Sequence, residues 1–309
     1  MNKHFGPKEY LETLKQTENL IAVAYPWELI DKIYGDSPLT RALIQSLKNK
    51  KPDRKSYCEP IFNDLVSGLS SAMQHQILEQ VAIGELLLRD VNATLRKAEG
   101  QYSGFVIIVN RGLTTFFYTL TKLILARVGT FPEWERFEQP VLRPVIEFDQ
   151  VVSLVHQLVK LYHEGKIPEL PLEETALKDE RLYLLASLQW YAVSFVVAHE
   201  LGHYLNRHLD RTHSRDQEFS ADETGFIVLL NCIYRKRDDI EIMKAIAGVV
   251  LALHYIEVLE TTSGSRSYNH PPGARRIDRL RERFNFPGIY YNMADSFVSV
   301  SRDILKRLR

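Results

Sequence analysis

Apolar residues recur every three to four positions over most of this chain, the spacing of amphipathic helices. Pro7 opens a first segment with Tyr10, Leu11 and Leu14 on one face, and Pro26 and Gly35–Asp36–Ser37–Pro38 break the chain beyond it into short pieces. Ile61 to about Arg89 is apolar with mixed period and reads mostly as helix. The texture then changes. Asp90 to Arg96 is short, partly β-branched and rather polar, and Lys97 to Gly104 supplies turn residues. Phe105–Val106–Ile107–Ile108–Val109 is apolar on consecutive positions. This predicts a hairpin with a long loop, its second strand covered on both faces and its first at an edge.

Helical spacing then returns. Asn110 is placed to cap a helix through Phe116, Leu120 and Ile124. Further helices are expected over Asp149–His163, from about Leu172 or Thr175 to Asn206, and over Arg215–Lys236, Asp239–Leu259, Ala274–Arg283 and Met293–Leu308. The fold class is therefore α+β, mainly α, with a small β element beside long helices.

Composition narrows the function classes. Lys+Arg and Asp+Glu are both 39, so no global basic field draws the chain to nucleic acid, and none is expected as a partner. The basic run Lys48 to Lys55 reads as a solvated loop. Two cysteines, Cys58 and Cys232, are too few for a secreted disulfide framework and suit core positions in a reducing compartment. The N-terminus has no apolar leader, so a cytoplasmic location is expected. A membrane span needs about 20 apolar residues. The uncharged run Leu182 to Ala198 contains Ser187, Gln189 and Ser194, and like Ala245–Ile256 it reads as a buried core helix, with no transmembrane segment expected.

The chemistry concentrates in His199–Glu200–Leu201–Gly202–His203 near the end of the long helix. Histidines at i and i+4 share a helix face, so His199 and His203 can converge on one cation, with Glu200 beside them as a general base. Such a zinc site needs a third protein ligand. A histidine six residues past His203 would supply one, but that position is Leu209 and position 206 is Asn. His208 lies five residues past His203, about 140° round a continuing helix, and cannot face the same ion there. His213 would require the helix to end first. Glu218 is the favoured ligand, nineteen residues after His199 on the next helix, with Asp222 four residues on and on the same face. His270, held by Pro271 and Pro272, could serve a developing oxyanion or act as a fourth ligand; Arg276 could bind a carboxylate or hold the loop in place.

These stretches resemble the gluzincin zinc metallopeptidases of the HtpX and CaaX-prenyl-protease clan. Val91–Asn92–Ala93 and Ile107 to Leu113 are similar to that group's hairpin and following helix, and His199–His203 to its zinc helix. Glu218–Asp222 matches its Glu-x-x-Ala-Asp segment, and His270 to Ile277 its late His-Pro-Pro segment. The late order of motifs is also similar to the phage-exclusion peptidase Lit. The resemblance covers roughly residues 80–285. It implies a zinc endopeptidase acting on polypeptide, Zn2+ as cofactor, Glu200 as base, His270 near the oxyanion, and substrate backbone paired along the strand at Asn92 and Ala93. It divides the chain into an N-terminal region (1–80), a peptidase domain (81–285, with 129–181 as an insertion or lid) and a C-terminal helix (286–309). A latent or non-catalytic zinc-bound interaction module and a phage-defence protease with one host substrate are the other readings.

Overall fold

The computed structural model describes residues 5–17, 58–86, 88, 90–128, 146–164, 179–210, 212, 214–234, 238–263 and 270–308. The 18–57 stretch with its basic run, His213, and 129–145 and 165–178 of the expected lid lie outside the described residues. Helix α1 (Pro7–Thr17) is followed by α2 (Cys58–Ser67) and α3 (Ser71–Gln80), then strands β1 (Val81–Leu86), β2 (Ala93–Lys97) and β3 (Phe105–Asn110). Helices α4 (Arg111–Arg127), α5 (Phe148–His163), α6 (Asp179–Leu205), α7 (Arg215–Tyr234), α8 (Asp239–Ser263), α9 (Gly273–Phe284) and α10 (Asn292–Leu308) complete the chain. The architecture is mainly helical with a small sheet, the class the sequence predicts, and the sheet has three strands.

The expected hairpin is present, β2 pairing antiparallel with β3, but β3 also pairs with a strand whose sequence reads as helix. Val81–Leu86 runs parallel to β3 and is buried along nearly its whole length. A strand covered on both faces has no alternation to reveal it, and a short apolar run of this kind is indistinguishable from buried helix by periodicity. The alternation appears only in the packing. Val81, Ile83, Leu95, Ile107 and Val109 join the main helical core; Ala82, Leu86, Val106 and Ile108 pack with Leu11 of α1. Gly84 belongs to that second face, where a Cβ would come within 2.6 Å of Leu11. Burying side chains such as Ile107 and Val109 contributes about 1.5–3 kcal/mol each.

Helices α6 and α8 are apolar all round because both run through the core. Tyr183–Leu205 and Asp239–Glu260 are long and apolar enough to cross a membrane, yet 72% and 83% of their apolar windows is buried inside the protein. Asn110 occupies the N-cap of α4 without a side-chain capping bond. Deeper in α4, Lys122 is fully buried, and burial lowers its ammonium to about 8. In the unfolded chain a lysine titrates near 10.4, so between these values the unfolded state holds more protons and stability rises with pH. The wild-type unfolding free energy should gain about 2–3 kcal/mol on Lys122→Met between roughly pH 7.5 and pH 10. A pH-independent difference in denaturant titrations would contradict this origin.

Candidate metal centre

Two glycines decide how α6 and α7 meet. A Cβ at Gly202 would lie 2.6 Å from the Ala221 carbonyl, and one at Gly225 would lie 2.8 Å from the Ala198 and His199 backbone. Only hydrogen at both positions lets the backbones approach this closely. The approach carries Glu218 and Asp222 of α7 onto the histidine face of α6.

His199 Nε2 and His203 Nε2 stand 3.0 Å apart. Glu218 straddles them, Oε2 at 3.6 Å from His199 Nε2 and Oε1 at 3.5 Å from His203 Nε2. Tetrahedral zinc with bonds of 2.0–2.1 Å holds its ligand atoms about 3.3 Å from one another, so this donor set fits that ion. The electrostatics agree. Asp222 Oδ1 lies 2.9 Å from His199 Nδ1. A proton on Nδ1 facing that carboxylate leaves a lone pair on Nε2. An imidazole lone pair and a carboxylate converging on one point can hold a cation between them.

Glu218 is 1% exposed. Burial alone would raise its carboxyl, but the hydrogen bond from His270 and the charges of His199, His270 and Arg276 hold it well below the usual carboxylate range. Asp222 is likewise buried, which would raise it, and is held low by Arg276. The guanidinium grips it through two bonds, Nε to Oδ2 at 2.7 Å and Nη2 to Oδ1 at 2.6 Å. Arg276 comes from the first turns of α9, whose start at Gly273 abuts the Leu253 carbonyl of α8 so closely that a Cβ would lie 2.2 Å from it.

Glu200 faces a different neighbour. Its Oε2 accepts the backbone N–H of Leu95 in β2 at 2.7 Å. Burial pushes its carboxyl up to about 7, against the pull of His199 and that N–H. The register explains why the N–H is available. Asn92 O accepts from Asn110 N and Ala98 N donates to Gly104 O, so the even-numbered residues of this strand bond to β3. Antiparallel pairing alternates, which turns the backbone groups of Ala93, Leu95 and Lys97 away from β3, toward α6, on an edge that no other strand among the described residues pairs. Of the two strand residues expected to meet substrate, only Ala93 presents its backbone there; the carbonyl of Asn92 is spent within the sheet.

The structure thus gathers His199, His203, Glu218, Asp222 and Arg276 into one buried cluster, with Glu200 at the strand side. His270 sits at the rim, its side chain 43% exposed and its Nδ1 2.9 Å from Glu218 Oε2. Among the described residues, His199, His203 and Glu218 are the one group of histidine and carboxylate ligand atoms close enough to share an ion. Spacing along the chain does not foresee the Leu95 N–H, which depends on register, or the contact made by His208. Its Nδ1 lies 2.9 Å from His203 Nδ1.

The family model described as Peptidase U49 matches residues 143–293. That stretch contains the histidines, Glu200, Glu218, Asp222 and Arg276, and begins beyond the sheet. No curated protein and no solved structure matches the chain. The family match supports a proteolytic function, and it falls on the helices that build the buried histidine–carboxylate cluster.

Proposed function

We propose that this chain is a zinc-dependent endopeptidase of the gluzincin type. The observation that carries the reading is the convergence of His199 Nε2, His203 Nε2 and the Glu218 carboxylate beside Glu200, inside the stretch that matches a peptidase family. His199, His203 and Glu218 would hold the ion. Zinc supplies a Lewis acid that lowers the pKa of a bound water and polarises a carbonyl.

The remaining roles belong to the protein. The Leu95 N–H fixes Oε2 of Glu200 and leaves Oε1 to take the proton of the attacking water and return it to the departing amine nitrogen. Ala93 and Lys97 offer backbone donors and acceptors, and Leu95 its carbonyl, to an extended polypeptide along the outer edge of β2. Asp222, gripped by Arg276, orients His199. For His270, a donor is favoured over a fourth ligand, because its nitrogens do not join the group of ligand atoms close enough to share an ion.

Metal removal tests the reading. Protein holding one equivalent of zinc is expected to cleave an unfolded polypeptide, to lose cleavage on dialysis against a chelator, and to regain it when zinc is returned. Undiminished cleavage by protein verified as metal-free would sink the proposal.

A further inference from the structure

We infer that His208 is a positioning residue for His203, holding it in the tautomer that turns Nε2 toward a cation; the inference rests on the zinc reading of the site. The two histidines of the motif are supported differently. His199 has an ionised partner behind it, Asp222 Oδ1 at 2.9 Å from Nδ1. Behind His203 stands another imidazole, His208, with Nδ1 at 2.9 Å from His203 Nδ1. The rings meet edge to face, centroids 4.9 Å apart at 75°. His208 is 6% exposed.

Its position is built by the chain around it. Helix α6 stops at Leu205. The Asn206 side-chain amide donates to Ser220 O, Ser220 Oγ and Thr224 Oγ1 on α7, at 3.2, 3.0 and 3.0 Å. Arg207 then adopts φ 55, a left-handed conformation that residues other than glycine seldom take. The reversal delivers His208, which opens a short 3-10 turn to Asp210, underneath His203. A continuing helix would have carried it away.

The chemistry depends on the two nitrogens of an imidazole. His203 Nε2 points to His199 Nε2 and Glu218, so a cation there takes its lone pair and the proton must sit on Nδ1. A buried N–H needs an acceptor. The neighbour 2.9 Å away is His208 Nδ1, which accepts when the proton of His208 is on Nε2. His208 faces the side of His203 opposite the ligand atom, so it positions a ligand and is not one itself. Outer partners of this kind typically change metal affinity 10–100-fold.

The test measures zinc affinity by competition with a chromophoric chelator, with the denaturation midpoint of the metal-free protein as a control for folding. His208→Phe keeps a ring but no acceptor, and should bind zinc about 10–100-fold more weakly with little change in midpoint. His208→Asn places an amide oxygen near the Nδ1 position and should stay within a few-fold of wild type. Phe binding as tightly as wild type, or Asn binding as weakly as Phe, overturns the inference. His199→Ala separates the two levels. Tight zinc binding by wild type that His199→Ala abolishes keeps the zinc reading standing whatever His208 does. A wild-type protein that binds no zinc overturns both.

Discussion

Glu200→Gln is expected to lose about 10²–10⁴-fold in cleavage rate while still binding zinc, the range that a positioned general base contributes. That loss corresponds to about 3–5.5 kcal/mol of transition-state stabilisation. The substitution is selective for a structural reason. The Gln carbonyl can still accept the Leu95 N–H that holds Glu200 Oε2 at 2.7 Å, so strand β2 keeps its tie to α6. The variant loses only the capacity to carry a proton. Steady-state cleavage together with metal content checks this; full activity in a zinc-loaded Glu200→Gln protein would remove Glu200 from the mechanism.

Arg276→Ala should be the most destabilising single change at the site, costing about 3–5 kcal/mol, because it strands a buried carboxylate. Asp222 is 1% exposed and takes a guanidinium bond on each of its oxygens from this one residue. His199 shares Oδ1 with it. Arg276→Lys should recover part of the loss, since an ammonium supplies charge but not the two-pronged geometry. Replacing both partners by apolar residues, Arg276→Met with Asp222→Leu, should restore most of the stability while weakening zinc binding, because the pair is then absent but His199 has lost its orienting partner. Denaturant titration of the metal-free proteins distinguishes these cases; an Arg276→Ala protein within about 1 kcal/mol of wild type would show that Asp222 is not dependent on this pair.

Much of the site is legible in the sequence because its information is local. The i, i+4 spacing puts His199 and His203 on one face in any helix, and the same spacing puts Glu218 and Asp222 together on the next. Arg276 is legible only as a cation able to bind a carboxylate, since nothing along the chain says which one. Spacing excludes His208 from the neighbourhood of His203 only while the helix continues past it. That condition fails at Arg207, whose left-handed backbone directly follows the Asn206 clamp to α7. Strand β1 is hidden for the opposite reason: burial on both faces erases the pattern that would identify it.

The chain's own order of residues determined the helical class, the β2–β3 hairpin, the candidate ligand residues and the candidate base, since each is read from local spacing and residue type. Tertiary structure decided which atoms meet. The parity of β2 against β3 turned Leu95 rather than Asn92 toward α6, because register is set by pairing and not by residue type. The close crossing at Gly202 and Gly225 brought the carboxylates to the histidines. The break after Leu205 placed His208 behind His203, a contact that spacing on a continuous helix forbids and that a chain reversal permits.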